Sequence, residues 1–228
     1  LGDVWYVSCL ANSISATELN PGEADMNIFI NTSESLYLGT DGNTAGQIDF
    51  VTLLLHEIGH GLGGVSAGNM TGNIGSIGTL SQVDWQPLVS SFPWQDMEEL
   101  PTVWDSFIIT GDGESIVNEN VFPNPSPQLG DQYRSNDLYF SGAATTAANG
   151  GVSPRVFAPS TFAFGSSLNH FNESSFPTSS GNSLFTPFLS TNEVEHEPGE
   201  LFLAALEDIG WSINSTTEIN QLEGKLVR

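Results

Sequence analysis

"HEIGHGLGGVS", residues 56–66, holds two histidines, a glutamate and a cluster of glycines, and its reading decides the fold. Upstream, "DFVTLLL" (49–55) sets Val51, Leu54 and Leu55 in register with Ile58 and Leu62, at the three- and four-residue steps of one helical face. Asp49 stands where an N-terminal cap belongs, and the glycines from Gly59 onward stop the helix. The spacing therefore predicts a helix over residues 49–64.

On such a helix, residues four apart share a face, so the imidazoles of His56 and His60 can converge on one metal ion. Glu57, beside the first histidine, reaches the rim of that site, where it can take a proton from a metal-bound water. The pattern His-Glu-x-x-His supplies two neutral nitrogen ligands for Zn2+ and a carboxylate held close but off the metal, as peptide hydrolysis requires. The bland alternative is an ordinary amphipathic helix, but the motif uses two of only four histidines in the chain.

A catalytic zinc takes three protein ligands and keeps one position open for water. Ser66, three residues beyond Gly63, stands where a compact site of this kind places its third histidine. Cys9 is the only cysteine, which rules out an intrachain disulfide and a cysteine-based zinc cluster. The remaining candidates are His170 in "GSSLNHFNESSF" (165–176), His196 in "NEVEHEPG" (192–199), and a glutamate on a later helix such as Glu200 or Glu207. A histidine ligand donates its other ring N–H to an acceptor, and Asn172, Glu173 and Asp208 are available for that task.

Composition narrows the partners. Twenty-seven Asp and Glu stand against four Lys and Arg, a formal charge of −23, which argues against nucleic acid or an anionic membrane surface as partner. Such acidity suits a soluble, secreted, extracellular protein. It also leaves room for structural Ca2+ at "GTDGN" (39–43) or "TGDGE" (110–114), although neither has the spacing of an EF-hand loop. No apolar run is long enough for a membrane span. "LGDVWYVSCLANS" (1–13) lacks the pattern of a signal peptide, so the chain reads as a mature or excised piece.

Along the chain, "ADMNIFINTS" (24–33) alternates Met26, Ile28 and Ile30 with Asn27, Phe29 and Asn31, as a half-buried or edge strand does. Residues 66–167 read as loops, short strands and short helices without a strong pattern of their own. "PGELFLAALEDIGW" (198–211) sets Leu201, Ala204, Ala205 and Ile209 at helical steps and predicts a second buried helix. A polar tail or linker follows over 212–228.

Taken together, "HEIGHGLG", the long excursion after it, "SLNHF" (167–171), "NSLFTP" (182–187) and "LAALEDIGW" (203–211) resemble, in kind and order, the leishmanolysin-like metzincin metallopeptidases. In that family a long insertion separates the glycine of the motif from the third zinc histidine, and a turn and a closing helix follow. The resemblance covers residues 24–64 and 165–211. It implies His56, His60 and His170 as the metal ligands, Glu57 as the catalytic base, and an edge strand over 24–33 with which an extended substrate pairs. It further implies an α+β fold with a twisted sheet and active-site helix in an N-terminal lobe, and an irregular C-terminal lobe with a closing helix. Residues 1–211 then form one catalytic domain, divided into an N-terminal lobe (1–65), an insertion (66–167) and the third ligand, turn and closing helix (168–211).

The chain departs from the family at the turn. Met26, Met70 and Met97 all precede His170, so Phe185 occupies the place of the family's methionine, an apolar floor beneath the zinc histidines. The expected function is a zinc-dependent endopeptidase acting on a protein or peptide substrate. The alternatives are a secreted binding or adhesion module that retains a relic metal site, and a zinc hydrolase acting on a non-peptide ester or amide.

Overall fold

The computed structural model describes residues 2–78 and 99–213. The expected tail beyond Ile213, part of the expected insertion, and Met97 lie outside the described residues. Described helices are α1 (Ser8–Ser15), α2 (Phe50–Gly61), α3 (Pro127–Gln132), α4 (Ala143–Ala148) and α5 (Glu200–Ile209). Among the described residues, six short strands form three two-stranded sheets: β1 (Leu36–Tyr37) with β2 (Ile48–Asp49), β3 (Gly68–Thr71) with β4 (Ile74–Ile77), and β5 (Ile108–Thr110) with β6 (Leu138–Phe140). The first pair is parallel and the other two antiparallel. The architecture is α+β, with no described helix long and apolar enough to cross a membrane.

Three small pairs replace the expected twisted sheet. Residues 24–33 form no strand, although burial alternates as the sequence implies: Met26, Ile28 and Ile30 are half-buried while Asn27, Phe29 and Asn31 are exposed. Alternation records which side of an extended segment faces the protein; a strand also needs a backbone partner, and none pairs with this stretch among the described residues. The segment instead lies against α2, where a Cβ at Gly61 would collide with the Met26 side chain.

α2 begins as its sequence requires. The Asp49 carboxylate accepts from the Thr52 backbone N–H and hydroxyl, both at 2.8 Å, which satisfies one of the orphan donors of the first turn. The helix closes through Gly63 N–H to the His60 carbonyl at 3.0 Å and Gly64 N–H to the Gly59 carbonyl at 3.1 Å, with Gly63 at φ 114. A branched residue could not take that backbone conformation cheaply. Val51, Leu54, Leu55, Ile58 and Leu62 are half-buried, and the fully buried helix positions are Thr52 and Gly59.

α5 is more deeply seated. Leu201, Phe202, Ala205, Leu206 and Ile209 are buried, so Phe202 and Leu206 join the face read from the sequence, while Ala204 is half-buried. α1 carries no sequence expectation and packs where both main helices end: Leu10 is wholly buried, and Gly63 of the α2 exit approaches Leu10, Val7 and Ile209. The Trp211 indole ties the end of α5 to α2 by donating to the Leu62 carbonyl at 2.8 Å. The core runs through all of these segments. Trp104, wholly buried, touches Phe140, Phe171 and Phe185 at ring separations of 4.5, 5.8 and 5.8 Å, so residues after the 66–167 stretch pack on its hydrophobic centre, and Leu10 from before it belongs to the same core.

Candidate metal centre

α2 presents His56 and His60 one turn apart, and the segment following Leu168 brings in His170 from 114 residues beyond His56. The Nε2 atoms of His56 and His60 stand 3.2 Å apart, those of His56 and His170 3.1 Å apart. Nitrogens held by one tetrahedral zinc at about 2.0–2.1 Å stand roughly 3.3 Å from each other. The three histidines therefore lie close enough to bind one metal ion.

Tautomer and ring orientation follow from the opposite nitrogens. Nδ1 of His56 meets the Leu184 carbonyl at 2.7 Å, Nδ1 of His60 the Gly64 carbonyl at 2.7 Å, and Nδ1 of His170 the Ser166 carbonyl at 2.8 Å. A carbonyl only accepts, so each Nδ1 carries the proton and each Nε2 turns a lone pair toward the same point. Three lone pairs facing one another repel unless a cation lies between them. Burial and the neighbouring His56 press His60 down to about 4, and burial with both neighbours holds His170 well below the usual histidine range, which keeps these rings in the neutral form that binds metal.

Beneath the rings lies Phe185, wholly buried, with centroids 4.9 Å from His60, 5.4 Å from His170 and 5.5 Å from His56. The bulk is accommodated by glycines. A Cβ at Gly59 would stand 2.8 Å from the Phe185 ring, and one at Gly64 would collide with it. Glu57 is half-buried, directly follows His56 on α2, and meets no hydrogen-bonding partner among the described residues.

The other candidate ligands and acceptors go elsewhere. His196 donates from Nε2 to Asp49 at 2.8 Å, at the start of α2 and away from the histidine cluster. Glu200 and Glu207 lie on α5 outside the cluster. The acceptors expected for the ring N–H groups are also different: Asn172 bonds Asn136 and Ser174, and Asp208 accepts from Ala144 N–H, Thr145 N–H and the Thr145 hydroxyl. Backbone carbonyls do that work instead, and no residue type encodes a carbonyl's position.

The two acidic stretches with room for calcium differ in their local bonding. Asp41 bonds the Tyr37 hydroxyl and Asn43, which hold its carboxyl down at about 2. Residues 110–114 form a tight turn, with Thr110 N–H to the Glu114 carbonyl at 2.9 Å. The histidine trio is the one grouping of this kind among the described residues.

Comparison with known proteins gives no matching family model, no matching curated protein and no matching solved structure.

Proposed function

We propose that the protein is a zinc-dependent endopeptidase of metzincin type, acting outside the cell on protein or peptide substrates. The observation that carries this reading is the convergence of three Nε2 atoms, each ring fixed by a carbonyl at Nδ1, on a helix where Glu57 directly follows His56. An all-nitrogen set with an open fourth position suits zinc, the usual ion for three imidazoles in hydrolytic sites.

His56, His60 and His170 hold the ion. When bound, zinc lowers the pKa of its water toward 7 and polarises a substrate carbonyl. Glu57 receives the proton of the attacking water and passes it to the amine as the C–N bond breaks, so acid and base are one carboxylate at two stages. The segment at 24–31 supports a substrate path: Met26 rests on Gly61, four residues and one helical turn from Glu57, and its backbone has no ladder partner among the described residues. An extended peptide pairing with that segment's backbone runs along the face of α2 that bears Glu57.

The test is digestion of casein or gelatin with and without a chelator. Glu57→Gln should retain the metal and lose activity by about 100-fold or more. Metal retention with undiminished hydrolysis by that variant would sink the mechanism. A metal-loaded native chain that leaves peptide substrates intact would favour the binding-module alternative.

A further inference from the structure

Ser66 interrupts the compact ligand pattern, yet it is 4% exposed, and its environment assigns it a part in the site. Its hydroxyl donates to Asp105 Oδ1 at 2.5 Å, and its backbone N–H donates to Asn169 Oδ1 at 2.7 Å. Asn169 immediately precedes His170. Gly64, two residues before Ser66, supplies the carbonyl that orients His60.

Asp105 is wholly buried and gathers the surrounding strands of chain. Its second oxygen accepts from Ala67 N–H at 2.9 Å, Thr102 N–H at 2.9 Å and the Thr102 hydroxyl at 3.0 Å. The Thr102 hydroxyl also lies 2.6 Å from the Val65 carbonyl. Next to Asp105, the Trp104 indole donates to the Leu168 carbonyl at 2.9 Å. Leu168 sits at φ 70, in the left-handed region that a branched side chain avoids, so the segment needs external bonds to stay there. Phe157 supplies two more, accepting from Leu168 N–H at 2.9 Å and donating to the His170 carbonyl at 2.8 Å.

We propose that Asp105, Ser66 and Asn169 form a clasp that positions His170, coupling the exit of the metal-binding helix to the approach of the third ligand. None of the three touches the metal position; each acts through the backbone that carries His60 or His170. The proposal rests on the metal-centre reading above and deepens it, because it makes ligand geometry depend on a buried carboxylate in the long intervening stretch. Ser66 thus replaces a ligand by a device that holds the distant one.

The experiment measures zinc affinity of the full chain by competition with a chromogenic chelator, alongside melting of the metal-free chain. Asn169→Ala should weaken zinc binding by about 10- to 100-fold, the usual cost of losing a group that orients a ligand. Metal-free melting should fall modestly, because the buried Ser66 N–H loses its acceptor, so affinities are compared at a temperature where both chains are folded. Asp105→Asn should restore most of the affinity lost in Asp105→Ala, since an amide oxygen can accept from the two N–H groups while its NH2 faces the Ser66 oxygen. Cobalt substitution adds a spectroscopic readout, and Asn169→Ala should alter the visible bands of the bound ion. Zinc affinity and cobalt spectrum in Asn169→Ala equal to those of the unmodified chain would overturn the clasp. Failure of the unmodified chain to take up zinc would overturn the metal centre, and the clasp with it.

Discussion

Phe185 stacks on Phe202 with ring centroids 4.0 Å apart and planes 16° from parallel, and the same Phe185 ring underlies all three histidines. α5 therefore supports the histidine cluster through one aromatic pair. Phe185→Ala should cost about 3–5 kcal/mol of stability by opening a cavity at that junction. It should also lower zinc affinity, since the rings lose their floor. Phe185→Met keeps an apolar filling and should cost about 1–2 kcal/mol with zinc stoichiometry intact. Denaturant unfolding and metal analysis of both variants check this; equal zinc loss in both would show that the aromatic ring itself is required.

Removing the metal should destabilise the chain beyond any effect on activity. The His56 Nε2 lies 3.2 Å from that of His60 and 3.1 Å from that of His170, an arrangement of lone pairs that repels when empty and attracts when filled. Free zinc at a thousand times its dissociation constant stabilises by about 4 kcal/mol, on the order of 10 °C for a domain of this size. Thermal scans with zinc and with excess chelator measure the difference. Identical melting in the two conditions would contradict a bound ion in the folded state.

How far the sequence carried the site depends on which physical signal each residue left. α2 was legible because periodicity, the Asp49 cap and the terminal glycines agree, and the cap bond to Thr52 is present. His56 and His60 followed from that helix by spacing alone. His170 needed the order of motifs, since no local pattern links residues 114 apart. The carbonyls that orient the rings left no trace in residue identity. The sheet is not legible in 24–33, because the alternation there reports sidedness and says nothing of a partner strand. α1 leaves little trace in the sequence because its eight residues, SCLANSIS, bury only Leu10 fully and carry no side-chain cap bond.

The start of α2 should be sensitive to acid. Burial opposes the charge on Asp49, but bonds from the Thr52 N–H and hydroxyl and from His196 outweigh it and hold its carboxyl below the ordinary carboxylate range. A depressed folded-state pKa gives stability that is present above the unfolded value near 3.9 and is lost as pH falls through the folded value. Asp49→Asn should therefore cost about 1–3 kcal/mol at neutral pH, with the gap to the unmodified chain closing below about pH 4. His196→Ala should lose part of the same stability and keep its zinc. Urea melts across pH with parallel metal analysis decide both points, and zinc loss in His196→Ala would return that residue to the ligand set.

Asp208 offers the sharpest separation of structural from metal-orienting roles. Its carboxylate caps α4 from α5, accepting from Ala144 N–H at 2.9 Å, Thr145 N–H at 2.8 Å and the Thr145 hydroxyl at 2.6 Å. Gly142, the residue before α4, has φ −60, which any residue adopts, yet a Cβ there would collide with this carboxylate. Gly142→Ala is thus free of backbone penalty, and its cost reports displacement of the cap, about 1–3 kcal/mol. Asp208→Ala should cost a similar amount by leaving the same donors unpaired. Both variants should bind zinc as tightly as the unmodified chain, because the histidines rely on the Leu184, Gly64 and Ser166 carbonyls. Stability and chelator competition measured on the same samples separate the two roles: a tenfold fall in zinc affinity without loss of stability would place Asp208 among the groups that orient the ligands, against the geometry described.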